Sequence, residues 1–339
     1  MALTQHTIAI HQVEQILQGA RRRGLAIEPL LTRAGISMAL LEAPLARVSQ
    51  LQYVTLIRIL RRSLGDEFWG LTRARLPIGA FAQGCALLLH CHNLRQALQG
   101  GFHFYRLLLD DFCARLRVAD GVAQVSLSRV AAEDPCIAYA QRTFMFFSVG
   151  LASWLVARRI PLLGVDYRER EAPPGSDTSR VFQAPVRYGQ PRMGFSFEAR
   201  WLDLPVVQNP QSLHEFLRRA PADLLIKYRD LSSVTERIRR LLRRHLCEEL
   251  PSLEDVGKAL AITPQTLRRR LREEGQGYQA LKDDLRRDAA IEYLGRADLT
   301  LVDISDRLGF SEPSTFHRAF KKWTGVAPGE YRHSHLQKT

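Results

Sequence analysis

Through the first hundred or so residues of this chain, apolar positions recur at helical spacing. Ile8, Ile10, Val13, Ile16 and Leu17 precede Arg21, Arg22 and Arg23, so residues 1–24 read as an amphipathic helix whose basic end comes last. The stretches 51–64, 79–91 and 94–109 predict further helices, with Gly100-Gly101 read as a break in the last of them. The period then shortens to two. Leu116 and Val118 stand before Asp120-Gly121, and Val122, Val125 and Leu127 after it, the pattern of a hairpin closed by an Asp-Gly turn. An apolar helix follows at 137–157, then short strands at 164–168, 185–188 and 193–197 between Pro- and Gly-rich turns. This mixture predicts an α+β domain ending near residue 220.

From about residue 232 the strand pattern stops and short capped helices run to the end. Ser233 and Glu236 have the spacing of a capping box and open a basic helix reaching His245, which places the boundary at 221–232. This part of the chain repeats itself. Ser252, Leu253, Asp255 and Val256 correspond to Thr300, Leu301, Asp303 and Ile304 at an offset of 48, as Leu260 does to Leu308. Leu267 and Leu271 correspond to Phe316 and Phe320 at an offset of 49, so the second copy has one extra residue in its turn. Each copy has the parts of a helix-turn-helix. Ser252 and Thr300 cap a short helix; Ala261-Ile262-Thr263 and Gly309-Phe310-Ser311 form the turns; Ile262 and Phe310 are expected to be buried; Thr263 and Ser311 are expected to cap the second helices.

Those second helices, 264–273 and 313–323, are where base readout is expected. Leu267 and Leu271 face inward in the first, which turns Gln265, Arg268, Arg269 and Arg272 outward. Phe316, Phe320 and Trp323 face inward in the second, which turns Ser314, Thr315, His317, Arg318 and Lys321 outward. Arg bonds two acceptors on guanine and Gln pairs with adenine, and the repeat places Arg269 and Arg318 in matching positions. A helix at 278–294, apolar at Leu281, Leu285, Ala289 and Leu294, joins the units. It spans roughly 25 Å, suited to holding two recognition helices about one DNA turn, roughly 34 Å, apart.

Net charge alters this picture less than its value suggests. The chain carries +13, but residues from 231 onward hold 20 basic and 16 acidic side chains, whereas the first 230 hold 28 and 19. The excess is therefore +4 against +9, larger outside the expected DNA-binding part. Arg outnumbers Lys 42 to 6, a bias that a GC-rich genome produces without functional cause. Position, not charge, carries the argument.

With the repeat laid out, residues 232–335 resemble the DNA-binding domain of the AraC/XylS family of bacterial transcription regulators. The carrying residues are Thr266, Leu267, Arg268, Arg269, Arg270 and Leu271; Arg287, Ala290 and Leu294; and above all 304–323, with Leu308-Gly309-Phe310-Ser311 and Phe316-His317-Arg318-Ala319-Phe320, closed by 324–332. The resemblance implies base contacts from both second helices and gene activation, with RNA polymerase as a partner. The first 220 residues are similar to the sensor domain of a subgroup labelled arabinose-binding-like, through Gly65 to Leu71 in sequence, Leu94 to Leu98, the stretch 185–192, Phe195-Ser196-Phe197 and Leu202-Asp203-Leu204-Pro205. Members of this subgroup respond to varied small molecules, so sugar is not implied. The jelly-roll sensor of sugar-responsive members does not fit the helical start.

Cys85, His90, Cys91, His92 and His103 cluster in sequence, but consecutive ligands on a helix point in different directions, so no metal site is expected. The five cysteines contain no Cys-x-x-Cys pair and are expected to be reduced thiols. Pro135-Cys136 is followed by Ile137-Ala138, not by the His-Arg of an alkyl-transfer site, and no hydrolytic triad or phosphate loop occurs, so no enzyme and no cofactor are expected. Arg187, Arg192 and Arg200 could receive an anionic effector but read more simply as surface charges. No apolar run of membrane-spanning length and no secretion signal occur, so a cytoplasmic protein is expected. The expectation is an α+β sensor domain at 1–225, binding a small-molecule effector or only a protein partner and forming homodimers, followed by an all-α DNA-binding domain at 232–335. That domain holds units at 252–273 and 300–323 around the 278–294 helix and binds double-stranded DNA.

Overall fold

Burial of the regular apolar spacing builds the helical first part of the chain. The structure is a computed structural model that describes residues 7–129, 134–172, 178–219, 234–248, 250–273 and 277–336. The expected first helix starts later than its periodicity suggests. Thr7–Ala9 form a strand, β1, and α1 runs over Ile10–Arg22. The strand wins because it pairs antiparallel with β2, Arg47–Ser49, Ile8 facing Val48, in a partnership between residues forty apart that helical spacing cannot reveal. α2 (Ile27–Arg33) and a 3-10 turn at Met38–Glu42 lie between the two strands. α3 (Gln50–Leu64) opens on a Ser49–Gln52 capping box and closes on Gly65 at φ 60°.

α4 (Ala80–Leu88) and α5 (Leu94–Leu108) follow, the latter capped by Asn93. Here Gly100-Gly101 does not break the helix. Each glycine in a helix interior costs about 1 kcal/mol relative to alanine, but the face carrying Leu94, Ala97, Leu98 and Phe102 is buried and offsets that cost. The hairpin forms as expected from β3 (Phe112–Ala119) and β4 (Val122–Arg129). Asp120 and Gly121 both take positive φ, 50° and 73°, as a two-residue hairpin turn requires. α6 (Pro135–Leu155) begins on Asp134, whose carboxylate accepts from the Cys136 amide at 2.8 Å. After it come β5 (Leu162–Asp166), α7 (Thr178–Phe182), β6 (Val186–Arg187) and β7 (Met193–Glu198). The sheet order is β3-β4-β7-β5-β6, antiparallel except for β5 with β6. Val125, Leu127, Phe195 and Phe197 are buried in the core, and α6 covers β7. α8 (Pro210–Arg219) lies against α4, with Phe216 stacked on Trp154 at 4.4 Å.

The expected boundary at 221–232 and the expected Ser233 cap lie outside the described residues. Beyond them every described element is helical: α9 (Val234–Arg244), α10 (Leu253–Leu260), α11 (Pro264–Glu273), α12 (Tyr278–Leu294), α13 (Leu301–Arg307), α14 (Pro313–Thr324) and α15 (Pro328–Leu336). The chain is thus an α+β part followed by an all-helical part. Polar bonds tie the two together. Thr7 Oγ1 donates to Asp288 Oδ1 on α12 at 2.5 Å and accepts from Arg47 Nε at 2.6 Å, and the Tyr331 hydroxyl on α15 donates to the Arg47 carbonyl. Among the described residues no helix is long and apolar enough to cross a membrane.

Candidate nucleic-acid interface

The two copies in the sequence share the bonds of their first helices' caps and of their turns. At the start of α10 the Ser252 hydroxyl accepts from the Asp255 amide at 3.1 Å, and Asp255 accepts from the Ser252 amide at 3.2 Å. Thr300 and Asp303 repeat this at 3.1 and 2.7 Å at the start of α13. Both aspartates are held below the usual carboxylate range, chiefly by the hydroxyl of their own cap residue. The turns also match. The Ile262 amide reaches back to the Gly257 carbonyl at 3.0 Å and the Phe310 amide to Ser305 at 3.1 Å, with Ala261 and Gly309 left-handed at φ 54° and 68°. This is the six-to-one closure of a Schellman turn, in both copies.

The extra residue in the second turn changes one cap. Thr263 caps α11 as expected, accepting from the Thr266 amide at 3.3 Å. Ser311 does not cap α14. Glu312 takes that place, extended at φ −140° and ψ 137°, and gives no side-chain cap bond. The reason is Pro313, which begins the helix and forces the residue before it out of helical geometry. Ile262 and Phe310 are half-buried, not fully buried as expected, because they sit at the rim of each unit. Phe310 packs on Phe316 and Trp323 with ring centres 5.8 and 6.1 Å apart.

Leu267 and Leu271 of α11, and Phe316 and Phe320 of α14, are buried. This leaves Gln265, Arg268, Arg269 and Arg272 exposed on α11, and Ser314, His317, Arg318 and Lys321 exposed on α14, with Thr315 half-buried. Arg268 and Ser314 are among those with a partner inside their own unit. Arg268 lies 3.5 Å from Glu254, and the Ser314 hydroxyl donates to Glu312 at 3.1 Å. Exposed pairs of this kind are worth little and are readily exchanged for a stronger partner.

What the sequence reading missed is how firmly α12 grips both units. One stripe of this helix, at every fourth residue, sends its polar ends to the two loops. The Tyr278 hydroxyl donates to the Pro251 carbonyl at 2.7 Å, Lys282 to Leu250 at 2.9 Å, and Arg286 Nε to Leu308 at 3.1 Å. Lys282 also lies over the Tyr278 ring and Arg286 over the Phe310 ring, 5.3 and 4.9 Å from their centres. The i, i+4, i+8 spacing of these long polar side chains was the available signal. Buried Arg239 of α9 approaches Asp284 of α12 at 3.5 Å, and Arg287 approaches the same carboxylate at 2.8 Å.

Other sequence candidates are placed elsewhere. Arg187 lies 2.6 Å from Asp166 and Arg200 pairs with Glu198, so each of these cations already has a carboxylate. Burial, and secondarily Glu67, pushes the Cys85 thiol up to about 12; burial also raises Cys91 and Cys136. Such thiols stay protonated and are poor nucleophiles.

Against known families, residues 24–206 match the arabinose-binding domain of AraC transcription regulators, N-terminal, and residues 256–334 match a helix-turn-helix domain. The ornithine utilization regulator of Pseudomonas aeruginosa is 27% identical over 340 residues, covering 97% of both proteins. The urease operon transcriptional activator of Escherichia coli is 37% identical over 92 residues, 26% of this chain and 31% of that protein. Among solved structures, the transcriptional regulator CdpR from Pseudomonas aeruginosa is 22% identical, covering 78% of this chain and 89% of its own, with a TM-score of 0.29.

Proposed function

Because the chain belongs to the AraC family of transcription regulators, we propose that α11 and α14 are its two base-reading helices and that a small-molecule effector bound to the α+β part controls them. The helix-turn-helix match and the named regulators among its relatives make the chain a DNA-binding transcription regulator and not an enzyme. In this reading residues 1–225 form the sensor and 232–335 the DNA-binding domain. Gln265, Arg268, Arg269 and Arg272 then face one major-groove segment, and Ser314, Thr315, His317, Arg318 and Lys321 the next. The observation that carries it is the pair of matching exposed arginines, Arg269 and Arg318, on two units that α12 bonds to from one stripe.

The polar bonds between Thr7, Arg47, Asp288 and Tyr331 support control from the sensor, since they anchor its first ribbon to the helix that fixes the spacing of the units. An activating role, through contact with RNA polymerase, is favoured by the activator among the relatives. Homodimers and a cytoplasmic location complete the reading. The test uses operator DNA selected from random sequence. Arg269→Ala and Arg318→Ala should each weaken binding by about 1–3 kcal/mol and erase a different half of the footprint. Footprints unchanged in both variants would remove the assignment.

A further inference from the structure

The two base-facing helices differ in kind at one matching position. The offset of 49 that aligns Arg269 with Arg318 also aligns Pro264 with Pro313, Gln265 with Ser314 and Thr263 with Glu312. Thr263 uses its hydroxyl to cap α11, accepting from the Thr266 amide at 3.3 Å. Glu312 stands at the same point before α14, and its side chain makes no cap bond. A capping oxygen must curl back to the second or third helical amide, a task suited to the short side chains of Ser, Thr, Asp and Asn. The longer glutamate does not make that bond here, and its carboxylate stays at the mouth of the helix.

The backbone holds Glu312 in place. Its carbonyl accepts from the amides of Thr315 and Phe316 at 3.1 and 3.3 Å, and Pro313 fixes the first residue of the helix. Phe316 and Phe320, both buried, root α14 in the core. Ser311, Glu312, Pro313 and Ser314 are all exposed, so solvent reaches this end of the helix. The Ser314 hydroxyl donates to Glu312 Oε2 at 3.1 Å. The end of α14 therefore presents acceptors: a carboxylate, and a hydroxyl oxygen whose proton is turned toward it. Arg318, one turn beyond Ser314 on the same stripe, presents donors.

Acceptors at this end distinguish the bases in a major groove. Cytosine offers the N4 amine there; guanine offers the acceptors N7 and O6, thymine the acceptor O4, and adenine an N6 donor beside its N7 acceptor. We propose that Glu312 is a specificity-determining residue that accepts from cytosine N4 in the segment read by α14. The cytosine lies within about three base pairs of the guanine faced by Arg318, since six residues of helix rise roughly 9 Å and a base pair about 3.4 Å. This inference rests on α14 being a base-reading helix and names one base that it selects. In the first unit the matching places hold Gln265, suited to adenine, and a threonine already used as a cap, so the two operator segments differ. The carboxylate also repels the phosphates of any duplex that gives it no amine, which lowers binding to unrelated sequence.

The test selects operator DNA from random sequence with the full-length protein. Binding is then measured to every single-base variant of the α14 segment, defined as the half of the footprint lost in Arg318→Ala. Glu312→Gln, nearly equal in size, and Glu312→Ala are compared with wild type, and circular dichroism checks that both fold. In wild type one position requires cytosine, and any other base there weakens binding about tenfold or more. Glu312→Gln moves the preference at that position to adenine, and Glu312→Ala makes the four bases nearly equal there. Preferences in the α11 segment stay unchanged, and both variants bind unrelated duplex more tightly than wild type does. A wild-type segment with no required cytosine, or base preferences unaltered in both variants, would overturn the role of Glu312 and leave α14 as a reader. A footprint that survives whole in Arg318→Ala would instead overturn the reading of α14 on which the inference rests.

Discussion

Gly309 offers a direct measure of how tightly the second unit is built. It occupies the left-handed position of the turn between α13 and α14, at φ 68°. Gly309→Ala introduces two costs of different origin. The left-handed conformation costs an L-residue roughly 1–2 kcal/mol, of which about 0.4–1 kcal/mol is returned because alanine has less freedom to lose on folding. The second cost is steric. A Cβ at this site would stand 2.4 Å from the Glu248 carbonyl oxygen and 3.3 Å from that of Leu246. Both are backbone atoms, so the turn and the segment after α9 must separate, and such overpacking costs about 1–3 kcal/mol. The net conformational part is about 0–1.6 kcal/mol and the sum about 1–5 kcal/mol, with the steric part the larger. Ala261 supplies the control within the same molecule. It is left-handed at φ 54° in the matching turn of the first unit, so Ala261→Gly removes the conformational cost and involves no comparable clash. It should be neutral or stabilise by up to about 1 kcal/mol. Urea unfolding followed by far-ultraviolet circular dichroism reads both. In footprints, Gly309→Ala should also weaken the half contacted by α14 before the other. If Gly309→Ala lost less than about 1 kcal/mol, below the whole range of the sum, the reasoning would be refuted, since the clash with Glu248 would then be absorbed without effect.

Two further outcomes follow from the polar bonds. Asp255 and Asp303 have folded pKa values below their unfolded ones, so their contribution is complete above the ordinary carboxylate pKa of about 3.9 and is lost as pH falls through the lower folded value. The double variant Asp255→Asn, Asp303→Asn should therefore show a shallower acid-side fall in thermal stability than wild type; superimposable slopes would count against the caps as the cause. Thr7→Val keeps the side-chain shape but removes the hydroxyl between Arg47 and Asp288, and should lower unfolding free energy by about 1–3 kcal/mol, with Thr7→Ser largely restoring it. A valine variant as stable as wild type would mean that the ribbon is not anchored through this bond.

What the residue pattern determined by itself is local. The caps at Ser252 and Thr300, the turns at 261–263 and 309–311, the Asp120-Gly121 hairpin and the 278–294 helix all depend on residues within a few positions of one another. The repeat then supplied the pair of units without any knowledge of their packing, and the inward leucines and phenylalanines left the outward arginines as remainder. Tertiary structure decided whatever depends on distant partners. Thr7–Ala9 became a strand because Arg47–Ser49 was there to pair with it. The Gly100-Gly101 helix survived because the face that carries Leu94, Ala97, Leu98 and Phe102 was buried. α12 became a clamp because Pro251, Leu250 and Leu308 presented carbonyls to its polar stripe. The apolar cavity lined from α3, α4, α5, α6, α8 and the turn between α3 and α4 was invisible along the chain for the same reason: an unfilled volume depends on how side chains of several segments fail to meet, and no single segment encodes it.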